Sequence, residues 1–130
     1  MRYTLILFAF LNVSCHYSKD KLIIYNISKR EIYYTTILKS KDDNSYFSNS
    51  GGGNIEINGF SNPIVRQTIS STIDELSAEK ILYIVYFDSK DQEFVYKNIN
   101  TILTNSKVKV KKYSKIELQN LNWKIKFDDK

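Results

Sequence analysis

Ile81-Leu82-Tyr83-Ile84-Val85-Tyr86-Phe87 is an unbroken run of apolar and aromatic residues, bounded by Glu79-Lys80 before it and Asp88-Ser89-Lys90-Asp91 after it. All but Leu82 are β-branched or aromatic, the types that pack best on a pleated surface. The run is also shorter than a typical buried helix. Successive side chains of a strand point to opposite faces, so a strand with no polar register has to be covered on both. The run therefore predicts the central strand of a sheet with a packed layer on each side.

Working outward, Val95, Ile99, Ile102 and Leu103 fall at i, i+4, i+7 and i+8, one face of a helix over about Val95–Leu103. Val108 and Val110 alternate with Lys107, Lys109 and Lys111, the period of a half-buried strand whose lysines discourage edge-to-edge pairing. Ser114-Lys115-Ile116-Glu117 matches a capping box and predicts a short helix to about Leu121. Trp123, Ile125 and Phe127 then alternate with Asn122, Lys124 and Lys126, giving a last strand with one apolar face.

Upstream, Leu22–Ile27 and Ile32–Leu38 are strand-like runs joined by Ser28-Lys29-Arg30-Glu31, a spacing that suits a hairpin. Lys39–Asn54 holds Asp42-Asp43-Asn44-Ser45 and Gly51-Gly52-Gly53 and reads as the longest and most mobile loop. Asn58-Gly59 supplies a type I′ turn before a short edge element at Phe60, and Pro63 limits any strand beyond it. Ile64–Ser70 reads as extended, and Ser71 or Thr72 as the cap of a helical turn through Asp74, Glu75 and Leu76. The expected fold is mainly β within the α+β class: a single antiparallel β-sandwich-like domain over residues 22–127 with one or two short helices.

Composition agrees. In 130 residues there is room for one domain, and 42% hydrophobic with 25% charged residues argues against disorder. One cysteine excludes an internal disulfide and a cysteine-based zinc cluster.

The start of the chain has a different character. Met1 and Arg2 precede the apolar run Leu5–Leu11, and Asn12, Val13, Ser14 and Cys15 then turn small and polar, the order of a secretory signal over residues 1–14. Seven apolar residues fall well short of the roughly 20 that span a bilayer as a helix. The single cysteine lies directly after a small residue at the expected cleavage point, between Ser14 and Cys15. Residues 15–21 then read as a tether to the domain, and His16 as a solvated residue in it.

Leu11-Asn12-Val13-Ser14-Cys15 resembles the lipobox of bacterial lipoproteins, with Asn12 where an aliphatic residue is usual. Asn26-Ile27-Ser28, Ile32-Tyr33-Tyr34, Tyr86-Phe87-Asp88, Lys111-Lys112-Tyr113, Glu117-Leu118, Leu121-Asn122-Trp123 and Ile125 are similar to segments of small uncharacterised lipoproteins of Bacteroidota. The resemblance implies a thioether-linked diacylglycerol on Cys15, palmitate-type acylation, and a place in the cell envelope. The envelope site it implies is the outer membrane, on its periplasmic face or at the cell surface. It implies no activity.

Nor do the residues point to a reaction. The one histidine adjoins the one cysteine in the tether, away from any triad partner. Gly51-Gly52-Gly53 is followed by Asn54-Ile55-Glu56, not by the Gly-Lys-Ser/Thr of a phosphate loop. Asp74, Glu75, Glu79, Asp88, Asp91 and Glu93 are candidates for a glycosidase carboxylate pair, all in polar or turn contexts. Asp88, Asp91 and Glu93 lack the oxygen density of a calcium loop. Tyr33, Tyr34, Tyr46, Phe47 and Tyr96 suit strand packing as well as sugar stacking. Five lysines within 107–115, without arginine, suit a solvated edge better than nucleic acid.

The expected function is a non-enzymatic binding or assembly module tethered to a membrane by its N-terminal lipid anchor. It would have no cofactor, no metal, no catalytic residue and no nucleic-acid partner, and its ligand would be an envelope protein or glycan. The alternative is an envelope enzyme acting on glycan or peptidoglycan through paired carboxylates.

Overall fold

The expected central strand is central. In a computed structural model describing residues 21–49, 52–63 and 68–130, the elements are β1 (Ile23–Asn26), β2 (Ile32–Lys39), β3 (Tyr46–Ser48), β4 (Gly53–Ile55), β5 (Phe60–Ser61), α1 (Ile69–Leu76), β6 (Ile81–Phe87), α2 (Gln92–Lys97), β7 (Lys109–Ser114), α3 (Lys115–Asn120) and β8 (Lys124–Phe127). β6 lies between β2 and β7, antiparallel to both, and the far edge of β2 is shared by β3 and β4. A second, three-stranded sheet has the order β5-β1-β8, with β8 parallel to β1. The domain is mainly β, with two sheets dominated by antiparallel pairs and three short α-helices.

The two parities of β6 feed two separate cores. Leu82, Ile84 and Tyr86 point toward the small sheet, joining Ile24, Ile125, Phe127 and Trp123 with Ile73 of α1 and Leu118 of α3. The ring centroids of Tyr86 and Phe127 are 4.4 Å apart, a direct contact between the sheets. Val85 and Phe87 face the other way, onto Val95 of α2 and Ile102 in the following 3-10 turn. Each such fully buried aliphatic or aromatic side chain stabilises the fold by about 1.5–3 kcal/mol.

Several local expectations are overturned, each for a visible reason. Leu22–Ile27 and Ile32–Leu38 do not pair as a hairpin: β1 belongs to the small sheet and β2 to the large one. The intervening corner is held by Asn26, whose Nδ2 donates to the carbonyls of Arg30 (2.7 Å), Ile55 (3.0 Å) and Glu56 (3.2 Å). Its Oδ1 accepts from the Ser28 N–H and hydroxyl. These local bonds turn the chain out of one sheet and into the other, where a hairpin ladder would have kept it in place.

Lys39–Asn54 is not one loop. Tyr46–Ser48 and Gly53–Ile55 fold back along the two halves of β2 as β3 and β4. Gly52 has φ +63°, and a Cβ there would lie 2.3 Å from the Tyr34 carbonyl oxygen, so glycine is required by both backbone and space. At Ile57-Asn58 the Gly59 N–H bonds back to the Glu56 carbonyl, and Asn58, at φ +58°, takes the left-handed position. The turn is therefore not the expected I′ turn centred on Asn58-Gly59, and it joins β4 and β5 in different sheets.

Ile69 and Ser70 are helical, not extended, while Ile64–Gln67 lie outside the described residues. The cap is Thr68, one turn before Ser71 or Thr72, because its hydroxyl accepts the Ser71 N–H and sets Ile69 and Ile73 together on the core. The helix expected over Val95–Leu103 starts earlier and breaks after Lys97. The Asn98 side chain donates to the Phe94 carbonyl (2.8 Å), and the chain passes into a 3-10 turn at Ile102–Thr104. The apolar face survives the break, with Val95 and Ile102 buried.

The capping box at Ser114 is present with both arms, Glu117 N–H to Ser114 Oγ at 3.2 Å and Ser114 N–H to Glu117 Oε2 at 2.7 Å. Trp123 is buried but precedes β8, at φ +59°. Its N–H bonds to the Leu118 carbonyl and its own carbonyl accepts from Ile23 (2.8 Å each). Lys109 is not simply a solvated edge residue, since its ammonium sits 5.2 Å from the Phe127 ring centre and donates to the Asp128 carbonyl.

Both buried nodes can be probed by unfolding. Trp123→Ala empties a large buried volume and should cost about 3–5 kcal/mol in urea or guanidinium unfolding. Asn26→Leu makes β1 more apolar in pattern, yet it should destabilise the domain by on the order of 3 kcal/mol, because the buried loop carbonyls lose their donor. An Asn26→Leu protein as stable as the wild type would show that the corner is held by something else.

Candidate functional site

Carboxylates are the side chains most able to support chemistry in this sequence, and the fold separates them. Asp74, at the solvent side of α1, accepts from Lys115 Nζ at 2.5 Å; that bond, with Lys41 and Lys80 nearby, holds its carboxyl below the ordinary range. Glu79 accepts from the Tyr83 hydroxyl at 2.5 Å and from Lys39 Nζ at 3.2 Å, and is likewise held low, first by the tyrosine bond and then by the lysine. Glu93 pairs with Lys97 one turn along α2. Glu75 is exposed on α1, and the backbone N–H of Asp91 closes a turn onto the Asp88 carbonyl.

Among the described residues, hydrogen bonds bring two carboxylates to one partner only at Arg30. Asp88 meets Nη1 there, and Asp129 is gripped by Nε and Nη2 at 3.0–3.2 Å. Arg30 also lies over the Phe127 ring, with 5.9 Å to its centre. This is a clasp between the β1–β2 corner, the end of β6 and the C-terminal residues. A glycosidase acid needs a carboxyl held protonated, by burial or by another carboxylate, whereas a guanidinium stabilises the charged form. Among the described residues no group of three His, Cys, Asp or Glu side chains converges as a metal site. No helix of the described residues is long and apolar enough to cross a membrane.

Four of the five expected aromatic candidates pack into or against the cores, and Tyr96 is exposed. Tyr34 is buried with its hydroxyl 2.8 Å from Ser61 Oγ, and burial raises its pKa. Tyr33 and Tyr46 pack on the α2 side of the large sheet, Phe47 on the opposite core, and Tyr96 lies edge-on to Phe87. Cys15 and Ser14, the expected acylation and cleavage positions, lie outside the described residues, as does His16.

Ile116 of α3, Leu76 and Leu121 are exposed singly, while the outer face of the small sheet sets an exposed aromatic beside other outward side chains. β1 turns Ile24 and Asn26 inward, so Ile23 and Tyr25 point out; β8 turns Ile125 and Phe127 inward, so Lys124 and Lys126 point out. Strand register aligns these side chains into rows: Phe60, Tyr25 and Lys126 across the middle, Ile23 beside Lys124. Phe60 is 62% exposed and its ring stands 6.0 Å from that of Tyr25. Ile27 and Ile57 are exposed by about half at the Asn26 end, where Asn26 and Asn58 are bonded through their backbones. A concavity of about 310 Å³ lies beside α3, lined by Lys112, Tyr113, Glu117, Asn120 and Leu121, with the Glu117 carboxylate already engaged in the capping box.

Sequence reasoning missed the small-sheet face, since it needs Asn26 inside and Ile27 outside, the reverse of what polarity alone suggests. The available signal was the alternation Ile24, Asn26 against Ile23, Tyr25, which reads correctly once Asn26 is allowed a buried partner set.

Glu79 gives a pH test. Its folded pKa lies below the unfolded value, so its contribution is complete above about pH 4.3, the ordinary glutamate value, and is lost as pH falls through the depressed folded pKa. Wild type should lose stability over that acid window in urea titrations, and Glu79→Gln should be less stable at neutral pH but flatter in acid. Parallel pH curves for the two proteins would remove the ion pair from the acid response. Compared with protein families, with curated proteins and with solved structures, the chain gives no match.

Proposed function

We propose that the chain is a lipoprotein of the bacterial cell envelope, acylated at Cys15 after removal of residues 1–14. Its β domain is then a non-enzymatic binding or assembly module held at the outer membrane. The observation that carries this reading is the position of the lone cysteine: it ends a signal-like apolar segment and stands seven residues before Leu22, the first residue of the core. Two acyl chains bury enough methylenes for stable anchoring, at about 0.8 kcal/mol each, where one chain holds only reversibly.

The surface supports presentation more than catalysis. Asp74, Glu79, Asp88 and Glu93 are each tied to lysine, arginine or tyrosine, while Ile27 and Ile57 stand exposed. An envelope protein or glycan is the class of ligand this module would take.

Mass spectrometry of the protein isolated from membranes should show an N-terminal peptide beginning at Cys15 and carrying a diacylglyceryl-sized increment. Cys15→Ser should shift the protein to the soluble fraction. A mature N-terminus elsewhere, or a Cys15→Ser protein that still sediments with membranes, refutes the anchor.

A further inference from the structure

We propose that the outer face of the small sheet is a membrane-docking surface for an anionic phospholipid bilayer, so that the anchored domain lies against the membrane through Phe60, Tyr25, Ile23, Lys124 and Lys126. The inference rests on the acyl anchor at Cys15 and adds to it an orientation. Eight residue steps separate Cys15 from Ile23, and an extended chain covers at most about 3.3–3.6 Å per step, so the start of β1 lies within about 29 Å of the acylated residue. The chain enters the domain at that sheet. Ile23, the first residue of β1, lies in the outward register beside Lys124, so the tether arrives at the margin of the face itself.

The chemistry of the face suits a lipid–water boundary. Tyrosine partitions to the headgroup region and phenylalanine inserts at the acyl boundary, and Tyr25 and Phe60 stand side by side on this face. The outward positions of β1, β5 and β8 include two exposed lysines, Lys124 and Lys126, and no carboxylate, and Lys21 is exposed at the start of the strand. Each lysine near an anionic surface contributes about 1 kcal/mol, over a range set by a Debye length of about 8 Å. A patch this small is too weak to recruit a free protein. Tethering makes the encounter intramolecular, so a modest attraction is enough to hold an orientation.

The test uses the full chain purified with its acyl group. Acylation consumes the single native thiol, so Phe60→Cys and Gln92→Cys each provide one site for an environment-sensitive fluorophore; Gln92 begins α2, on the opposite side of the large sheet. Both proteins are reconstituted in vesicles of phosphatidylcholine and phosphatidylglycerol containing spin-labelled lipid. The probe at position 60 should be quenched several-fold more than the probe at 92. Lys124→Gln with Lys126→Gln should lower the docked-to-undocked ratio roughly thirtyfold, from about 1 kcal/mol per lysine, while flotation with the vesicles is unchanged.

Equal quenching at 60 and 92 in a protein that floats and carries the diacyl mass overturns docking and leaves the anchor standing. Disulfide capture between two unlabelled Phe60→Cys chains, with position 60 unquenched, overturns it in favour of self-pairing. A chain that neither floats nor carries the acyl mass overturns the anchor and the docked orientation together.

Discussion

Everything in this domain hangs on the pairing of β2 with β6 and on the fact that neither strand has a polar face. Tyr34 and Tyr86 are paired neighbours on one side, while Ile37 and Tyr83 are paired on the other. An antiparallel ladder with apolar groups above and below cannot be left with one side in water, so two covering layers are obligatory. The small sheet with α1 and α3 forms one, and α2 with its 3-10 continuation forms the other. Even the inserted threonines comply: Thr35 and Thr36 are fully buried, and their hydroxyls are bonded to Ser48 and Asn49 of the neighbouring segment.

The small sheet can take up its position because a few polar side chains route the chain there. Asn26 is as buried as the isoleucines around it, and it serves as a peptide-like connector between the β1–β2 corner and the end of β4. Ser28 completes that connector, and Arg30 clasps its outside to Asp88 and Asp129. The ion pairs at Arg30 are exposed and individually weak, about 0–1 kcal/mol each. The buried amide matters more, because its loss would leave carbonyls without donors in the core.

How much of this is legible in the sequence depends on how far apart the deciding residues are. Ile81–Phe87, the capping box at Ser114 and Glu117, and the alternation of Ile125 and Phe127 are local patterns, and each appears where its spacing puts it. Pairing is not local. Spacing alone pairs Leu22–Ile27 with the next strand along, whereas its neighbours are β5 and β8, the latter about a hundred residues away. β3 and β4 are hidden in a polar stretch because an edge strand needs little apolar content when its partner supplies the core. The exposed face is hard to read for a related reason: it depends on the inward turn of Asn26, which polarity alone would place outside.

The parallel pairing of the first strand with the last also sets the order in which the domain can complete itself. Ile23–Asn26 finds Lys124–Phe127 only after nearly the whole chain has emerged. At synthesis rates of roughly 5–20 residues per second the first strand waits on the order of 5–20 s for that partner. The β2–β6–β7 ladder closes over shorter separations and can form earlier. Throughout that interval one side of the ladder lacks its small-sheet cover, and the burial of Leu82, Ile84 and Tyr86 is completed only when β8 arrives.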